Sequence, residues 1–142
     1  LESKAAAEAA TRITPRELDK LERVLVALEE ASDRRDLETA LRLNREFHHL
    51  VYVAARRALL LRMIESLWLR VGPQLSYVVR SDIYGGIVIR SDDHPHRQVL
   101  AALRSGNGRA ASAGIARDIR RAEKVIVSHL LEEAKQQKAA AT

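Results

Sequence analysis

The sequence predicts an all-α fold, an antiparallel bundle of about six helices, and two observations predict it. Glycine and proline are scarce, six and three in 142 residues, against roughly 12% in average usage, so a turn-rich sandwich or barrel is disfavoured. Apolar residues make up 46% of the chain and recur with the 3.6-residue period in one segment after another, which gives each helix one face to bury. The length suits a single domain of roughly 100–200 residues. Residues 1–137 are assigned to the bundle and 138–142 to a frayed tail.

The first helix covers Leu1 to Ile13 and has no start signal of its own. Thr14-Pro15-Arg16-Glu17 combines an N-cap, a proline at the first helical position and a reciprocal acid, so a second helix starts there. Its apolar residues Leu18, Leu21, Leu25 and Leu28 hold the period until the charged run Ser32 to Arg35. A third helix runs from about Asp36 to Ala55. The fourth starts near Ala58, carries Leu60, Met63, Ile64, Leu67 and Val71 on one side, is kinked at Gly72-Pro73 and reaches about Arg80. Gly85-Gly86 breaks the pattern, and Ile87-Val88-Ile89 is read as loop in preference to a short strand. The fifth spans Ser91 to Ser105 with Asp92 and Asp93 in its first turn, and Gly106-Asn107-Gly108 ends it. The sixth spans Arg109 to Gln137.

Cysteine is absent, which excludes disulfides and leaves nitrogen and oxygen as the ligands for any metal. No run approaches the ~18 apolar residues needed to cross a bilayer. The N-terminus shows no basic-then-apolar leader, so a cytoplasmic location without membrane attachment is expected. Lys and Arg number 24 against 19 acids, for a net charge of +5. That excess would fit nucleic acid if it were segregated. Instead arginines alternate with acids, as in Asp33-Arg34-Arg35-Asp36 and Arg117-Asp118, and no basic stripe is interleaved with aromatics on which bases could stack. The surface is therefore expected to be a solvated one of mixed charge.

Polar residues on apolar faces are the chemical signal. At 100° per residue, Leu37, Leu41, Val51 and Ala55 define the inward stripe of the third helix, and Asn44 and His48 fall inside it one turn apart, while His49 faces outward. His96 sits among Val99, Leu100 and Leu103 on the fifth helix. On the sixth, Ile115, Ile119, Ala122 and Ile126 mark the core face, and Asp118 leans in from its flank. Burying such groups without partners costs on the order of 1–3 kcal/mol each. Two solutions satisfy them: a divalent ion held by ligands from separate helices, with Zn²⁺ the first choice ahead of Ni²⁺ or Mn²⁺, or a metal-free hydrogen-bonded cluster. His94, two residues from His96, reads as a capping or surface residue. His129 lies three turns beyond Asp118 and is left outside the site.

These residues also carry a resemblance. Asn44-Arg45-Glu46-Phe47-His48 followed by Leu50 resembles the acid-x-x-Phe-His segment of the FCD domain, the effector-binding C-terminal domain of GntR-type transcription regulators of the FadR subfamily. His96-Arg97-Gln98-Val99-Leu100-Ala101-Ala102-Leu103, followed by Gly106 and Ala110-Ala111, is similar to that family's next landmark, and the likeness extends from Leu1 to about Ala134. The resemblance implies a metal held at the positions of Asn44, His48, His96 and Asp118. Asn44 stands where the family has an aspartate, and Asp118 where it has a histidine.

The resemblance further implies a small organic acid lying against the metal with an arginine clamping its far end; the geometry of the fourth helix supplies the candidates Arg70, Gln74 and Tyr77 along one flank, Arg70 first because a guanidinium grips a carboxylate with two parallel hydrogen bonds. Trp68 reads as packing or as an interface anchor. The implied function is ligand sensing, transmitted to a DNA-binding domain that lies upstream and is not contained in this chain, and the implied assembly is a homodimer. The expected chemistry is recognition rather than turnover. Two other classes stay open at this stage, a metal-dependent hydrolase-like enzyme and a metal-free bundle that only dimerises.

Overall fold

A computed structural model describes residues 1–80 and 94–140, with the side chains of 71, 73–80 and 140 outside the description. Six helices make up the described residues: α1 (Glu2–Ala9), α2 (Pro15–Asp33), α3 (Leu37–Ala54), α4 (Ala58–Arg80), α5 (Pro95–Arg104) and α6 (Gly108–Ala140). The anticipated loop over Ser81 to Arg90, with Gly85-Gly86 and Ile87-Val88-Ile89, falls outside the described residues, as do Asp92 and Asp93. The helical assignment of α4 continues through Gly72 and Pro73.

Local chemistry sets the helix boundaries. Thr14 caps α2 as expected: its hydroxyl accepts from Glu17 N–H, and the Glu17 carboxylate accepts from Thr14 N–H at 2.9 Å. Asp36 caps α3 by accepting from Thr39 N–H at 3.1 Å. Three helices end with the first residue past the C-cap in the left-handed region. At the end of α5 that residue is Gly106 (φ 66°), but after α2 and α3 it is Arg35 (φ 56°) and Arg56 (φ 55°). A left-handed arginine costs about 1 kcal/mol. The Arg56 guanidinium is tied to Glu17 at 2.7 Å, which holds the turn in place.

Helices α1 and α6 approach each other closely. Ala5, Ala6 and Ala9 are fully buried, and a Cβ on Gly108 would lie 2.6 Å from the carbonyl oxygen of Ala7. Small residues therefore let α1 lie directly against the start of α6. The remaining core joins Leu21, Leu25 and Leu28 of α2, Phe47 and Val51 of α3, Ile64 of α4, Val99 and Leu103 of α5 and Ile115 of α6. A charged cluster closes one edge. Glu8 accepts from Arg57, Arg12 and Lys4, and Arg12 also donates to the carbonyl of Ala55 at 3.1 Å, so α1 is bound to the end of α3.

Several expectations are corrected. Helix α5 begins at Pro95 rather than Ser91, because Pro95 has no N–H to donate and suits the first helical position after the cap at His94. Leu37 and Leu41 are half-buried, and the buried face of α3 is carried by Leu43, Phe47, His48, Val51 and Tyr52. Ile119 is 39% exposed, so the core face of α6 turns toward Ala111, Ile115 and Asp118. On α4 Ile64 is buried, whereas Met63 and Leu67 face outward. The last helix runs to Ala140, three residues past Gln137, through Lys and Ala that favour helix.

Two outcomes test this packing. Gly108→Ala pushes a methyl into the Ala7 backbone and is expected to destabilise the fold by about 1–3 kcal/mol, measured by chemical denaturation against Gly114→Ala, where the clash is with the side chain of Val99. The Glu8 carboxyl is held at about 2 in place of 4.5, by Arg57 first and then Arg12 and Lys4, against an opposing effect of burial. Its folded pKa lies below its unfolded one, so its stabilisation is complete above about 4.5 and is lost as pH falls toward 2. The melting temperature is expected to drop more steeply through that window in the wild type than in Glu8→Gln.

Candidate metal centre

Three helices deliver one polar side chain each to a single point. His48 comes from the buried face of α3, His96 from the first turn of α5 and Asp118 from α6. Both histidines are 2% exposed. His48 Nε2 lies 3.1 Å from His96 Nε2 and 3.0 Å from Asp118 Oδ2, and His96 Nε2 lies 3.4 Å from the same oxygen. These three residues offer ligand atoms that close on one another.

The surroundings hold them in place. Phe47 packs against the His96 ring with centroids 4.6 Å apart, and Trp68 of α4 lies 5.6 Å from the His48 ring. His94 is buried rather than on the surface, and its Nδ1 caps α5 by accepting from His96 N–H at 3.3 Å. Burial first, then neighbouring His96, brings the His94 pKa down to about 4, which keeps that nitrogen available as an acceptor. Helix α5 is also clamped to α2. Arg97, next to His96, donates to both carboxylate oxygens of the buried Glu29 in a fork.

Burial alone would raise the Asp118 pKa. The neighbouring His48 and His96, 3.0 and 3.4 Å from Oδ2, outweigh it, and the carboxyl sits well below its ordinary range. For His96 the order is reversed: burial is the largest influence and favours the neutral ring despite Asp118. His96 Nδ1 is buried without a hydrogen-bond partner among the described residues. A carboxylate oxygen and two imidazole nitrogens thus face one another at 3.4 Å or less, an arrangement that is repulsive unless a proton or a cation lies between them.

These residues fit a divalent ion. Metal–nitrogen and metal–oxygen bonds of about 2.0–2.2 Å place neighbouring donors roughly 3–3.5 Å apart, the range seen here. The donor set of two imidazoles and one carboxylate suits a borderline cation.

His48 is further oriented from outside the cluster. Its Nδ1 lies 3.0 Å from the hydroxyl of Tyr52, one turn later on α3, and that hydroxyl donates to Glu2 Oε2 at 2.8 Å. Glu2 Oε1 accepts from Trp68 Nε1 at 2.9 Å. Burial first, then the adjacent Glu2 charge, lifts the Tyr52 pKa far above its ordinary value, so the phenol keeps its proton. Sequence reasoning placed neither Glu2 nor Tyr52 in the site. Tyr52 was signalled by its position four residues after His48; Glu2, on another helix, had no such mark.

The other anticipated residues are placed as follows. Asn44 is half-buried one turn before His48. His49 faces outward as expected, 3.7 Å from Glu65. Arg70 is exposed on α4, and the side chains of Gln74 and Tyr77 lie outside the described residues. His129, 7% exposed, lies 3.4 Å from Glu133 on its own helix.

Comparisons with known proteins agree with this architecture. The chain is 32% identical over 105 residues to the HTH-type transcriptional regulator McbR of Escherichia coli (strain K12), a match covering 74% of this chain and 47% of that protein. The chain therefore spans about half the length of the curated relative it matches. The solved structure of E. coli McbR/YncC superposes with a TM-score of 0.79 at 26% identity, over 90% of this chain and 63% of that one. The FCD domain family matches residues 1–121. With the fold, the inward histidines and the matched span in agreement, the chain belongs to the FCD domain family, the effector-binding domains of GntR-type transcription regulators.

Proposed function

We propose that this domain senses a small organic acid through a divalent cation held by His48, His96 and Asp118, and passes the bound state to a DNA-binding domain upstream in a cytoplasmic regulator. The observation that carries the reading is the convergence of the three ligand atoms within 3.4 Å of one another from three different helices. Zn²⁺ is the first choice, ahead of Ni²⁺ and Mn²⁺, and Asn44 offers a neutral carbonyl oxygen from one turn away. A cation bound there supplies a positive centre for a carboxylate. Arg70 grips the far end of the acid, with Gln74 and Tyr77 further along α4. The name of the relative, a helix-turn-helix transcriptional regulator, supports the DNA-linked role.

Recognition rather than turnover is the chemistry of this reading. Effector binding shifts the bundle between two packings by its differential affinity for them. The domain pairs with a second copy, and Leu59, Met63 and Leu67, all exposed on α4 at a spacing of four residues, give it an apolar stripe for that contact.

Elemental analysis of the dialysed protein tests the site. A near-stoichiometric divalent ion is expected in the wild type and its loss in His48→Ala and Asp118→Ala, with the helical circular dichroism retained. Small carboxylic acids are expected to raise the melting temperature of the loaded wild type, less so in Arg70→Ala, and to be recovered unconsumed. A wild type that takes up no ion overturns the metal reading, and consumption of the acid overturns the sensor in favour of an enzyme.

A further inference from the structure

We propose that Glu2, acting through the Tyr52 hydroxyl, is a positioning residue that keeps the proton of His48 on Nδ1, so that its Nε2 lone pair is free for a cation shared with His96 and Asp118. The inference rests on the metal reading above and adds a residue from the first helix to it.

The hydrogen-bond inventory carries the argument. A phenol has one proton. Tyr52 gives that proton to Glu2 Oε2, since a carboxylate oxygen can only accept. The remaining partner of the hydroxyl, His48 Nδ1 at 3.0 Å, must then donate to it. A neutral imidazole with its hydrogen on Nδ1 is bare at Nε2, the atom that faces Asp118 and His96, and in the cation-free chain the proton between the donors is then the one on His96 Nε2, 3.1 Å away. Without the Glu2 acceptor the Tyr52 proton is free to turn toward Nδ1. The imidazole hydrogen then moves to Nε2 and donates to Asp118 Oδ2 at 3.0 Å, and that charge-assisted bond competes directly with a cation.

Glu2 is itself held. Its other oxygen accepts from Trp68 Nε1, and its helix is seated by Ala5, Ala6 and Ala9 in the core. The acceptor is thus fixed by α1 and α4, while the imidazole it controls belongs to α3. Outer partners of this kind, which set the ring orientation and tautomer of a ligating histidine, change metal affinity by about 10–100-fold when removed.

The test reads the tautomer directly. Nitrogen-15 spectra of the imidazoles of the Zn²⁺-free chain, recorded where His48 is neutral, are expected to show hydrogen on Nδ1 in the wild type and a shift toward Nε2 in Glu2→Ala and Tyr52→Phe. Zn²⁺ affinity, measured by competition with a chromophoric chelator, is expected to fall about 10–100-fold in both variants. Glu2→Gln keeps a single acceptor oxygen for two donors, the Tyr52 hydroxyl and Trp68 Nε1–H, and is expected to recover part of the loss. A wild type with hydrogen on Nε2 overturns the proposal. So does a loss of affinity without a change of tautomer, which marks a contribution to packing alone. A wild type that binds no Zn²⁺ overturns the preceding reading instead, and its spectrum still decides this one.

Discussion

Two imidazoles and a carboxylate share the interior of this bundle, and the need to satisfy them constrains everything around them. An aliphatic core tolerates exchange of one side chain for another of similar volume. A buried polar cluster does not, because each member depends on the exact placement of the rest. The chain meets that demand by fixing each ligand from its own side. Tyr52 orients His48, the Arg97–Glu29 fork fixes the helix that carries His96, and the close contact between α1 and the start of α6 anchors the helix that carries Asp118. Three helices with no common backbone restraint are thereby brought to within a few tenths of an ångström of a ligand geometry.

The same construction explains why small residues gather in α1. A helix that must place a carboxylate next to an interior tyrosine and tryptophan cannot stand off from its neighbours by the width of a leucine. Alanines at 5, 6 and 9, and a glycine at 108 with no room for a methyl group, set that distance. Hydrophobic burial from such residues is modest, roughly proportional to the small area each removes from water. Geometry is their contribution, and the Glu8 cluster with Arg12, Arg57 and Lys4 supplies part of the hold that larger side chains would otherwise give.

Much of this was legible in the sequence because helical periodicity and capping are local. Thr14-Pro15-Arg16-Glu17 placed the start of α2 to the residue. His48, His96 and Asp118 stood out as polar groups on faces otherwise apolar. The residues that escaped depend on contacts between segments. Glu2 reaches the site through a tyrosine fifty positions away, and periodicity carries no information about such a partner. Arg35 and Arg56 take the left-handed turn that glycine usually marks, so no composition signal announced them. On α4 the expected apolar side of Leu60, Met63, Ile64, Leu67 and Val71 is only partly covered, because a pattern cannot say which of its members the fold buries: Ile64 is buried, Met63 and Leu67 are not. On α6 the aliphatic stripe was drawn through Ile119, one position from Asp118, because beyond that point the helix is largely exposed and its apolar residues no longer report the core.

Glu2 belongs to the first helix, so the orientation of His48 and the seating of that helix meet in one run of hydrogen bonds. Thermodynamic reciprocity follows. Whatever factor a docked α1 adds to cation affinity, a bound cation adds to the docking of α1. With a cation bound as proposed, its occupancy and the hold on the amino-terminal helix become two readings of a single coupling constant, and a shift imposed at either end is felt at the other.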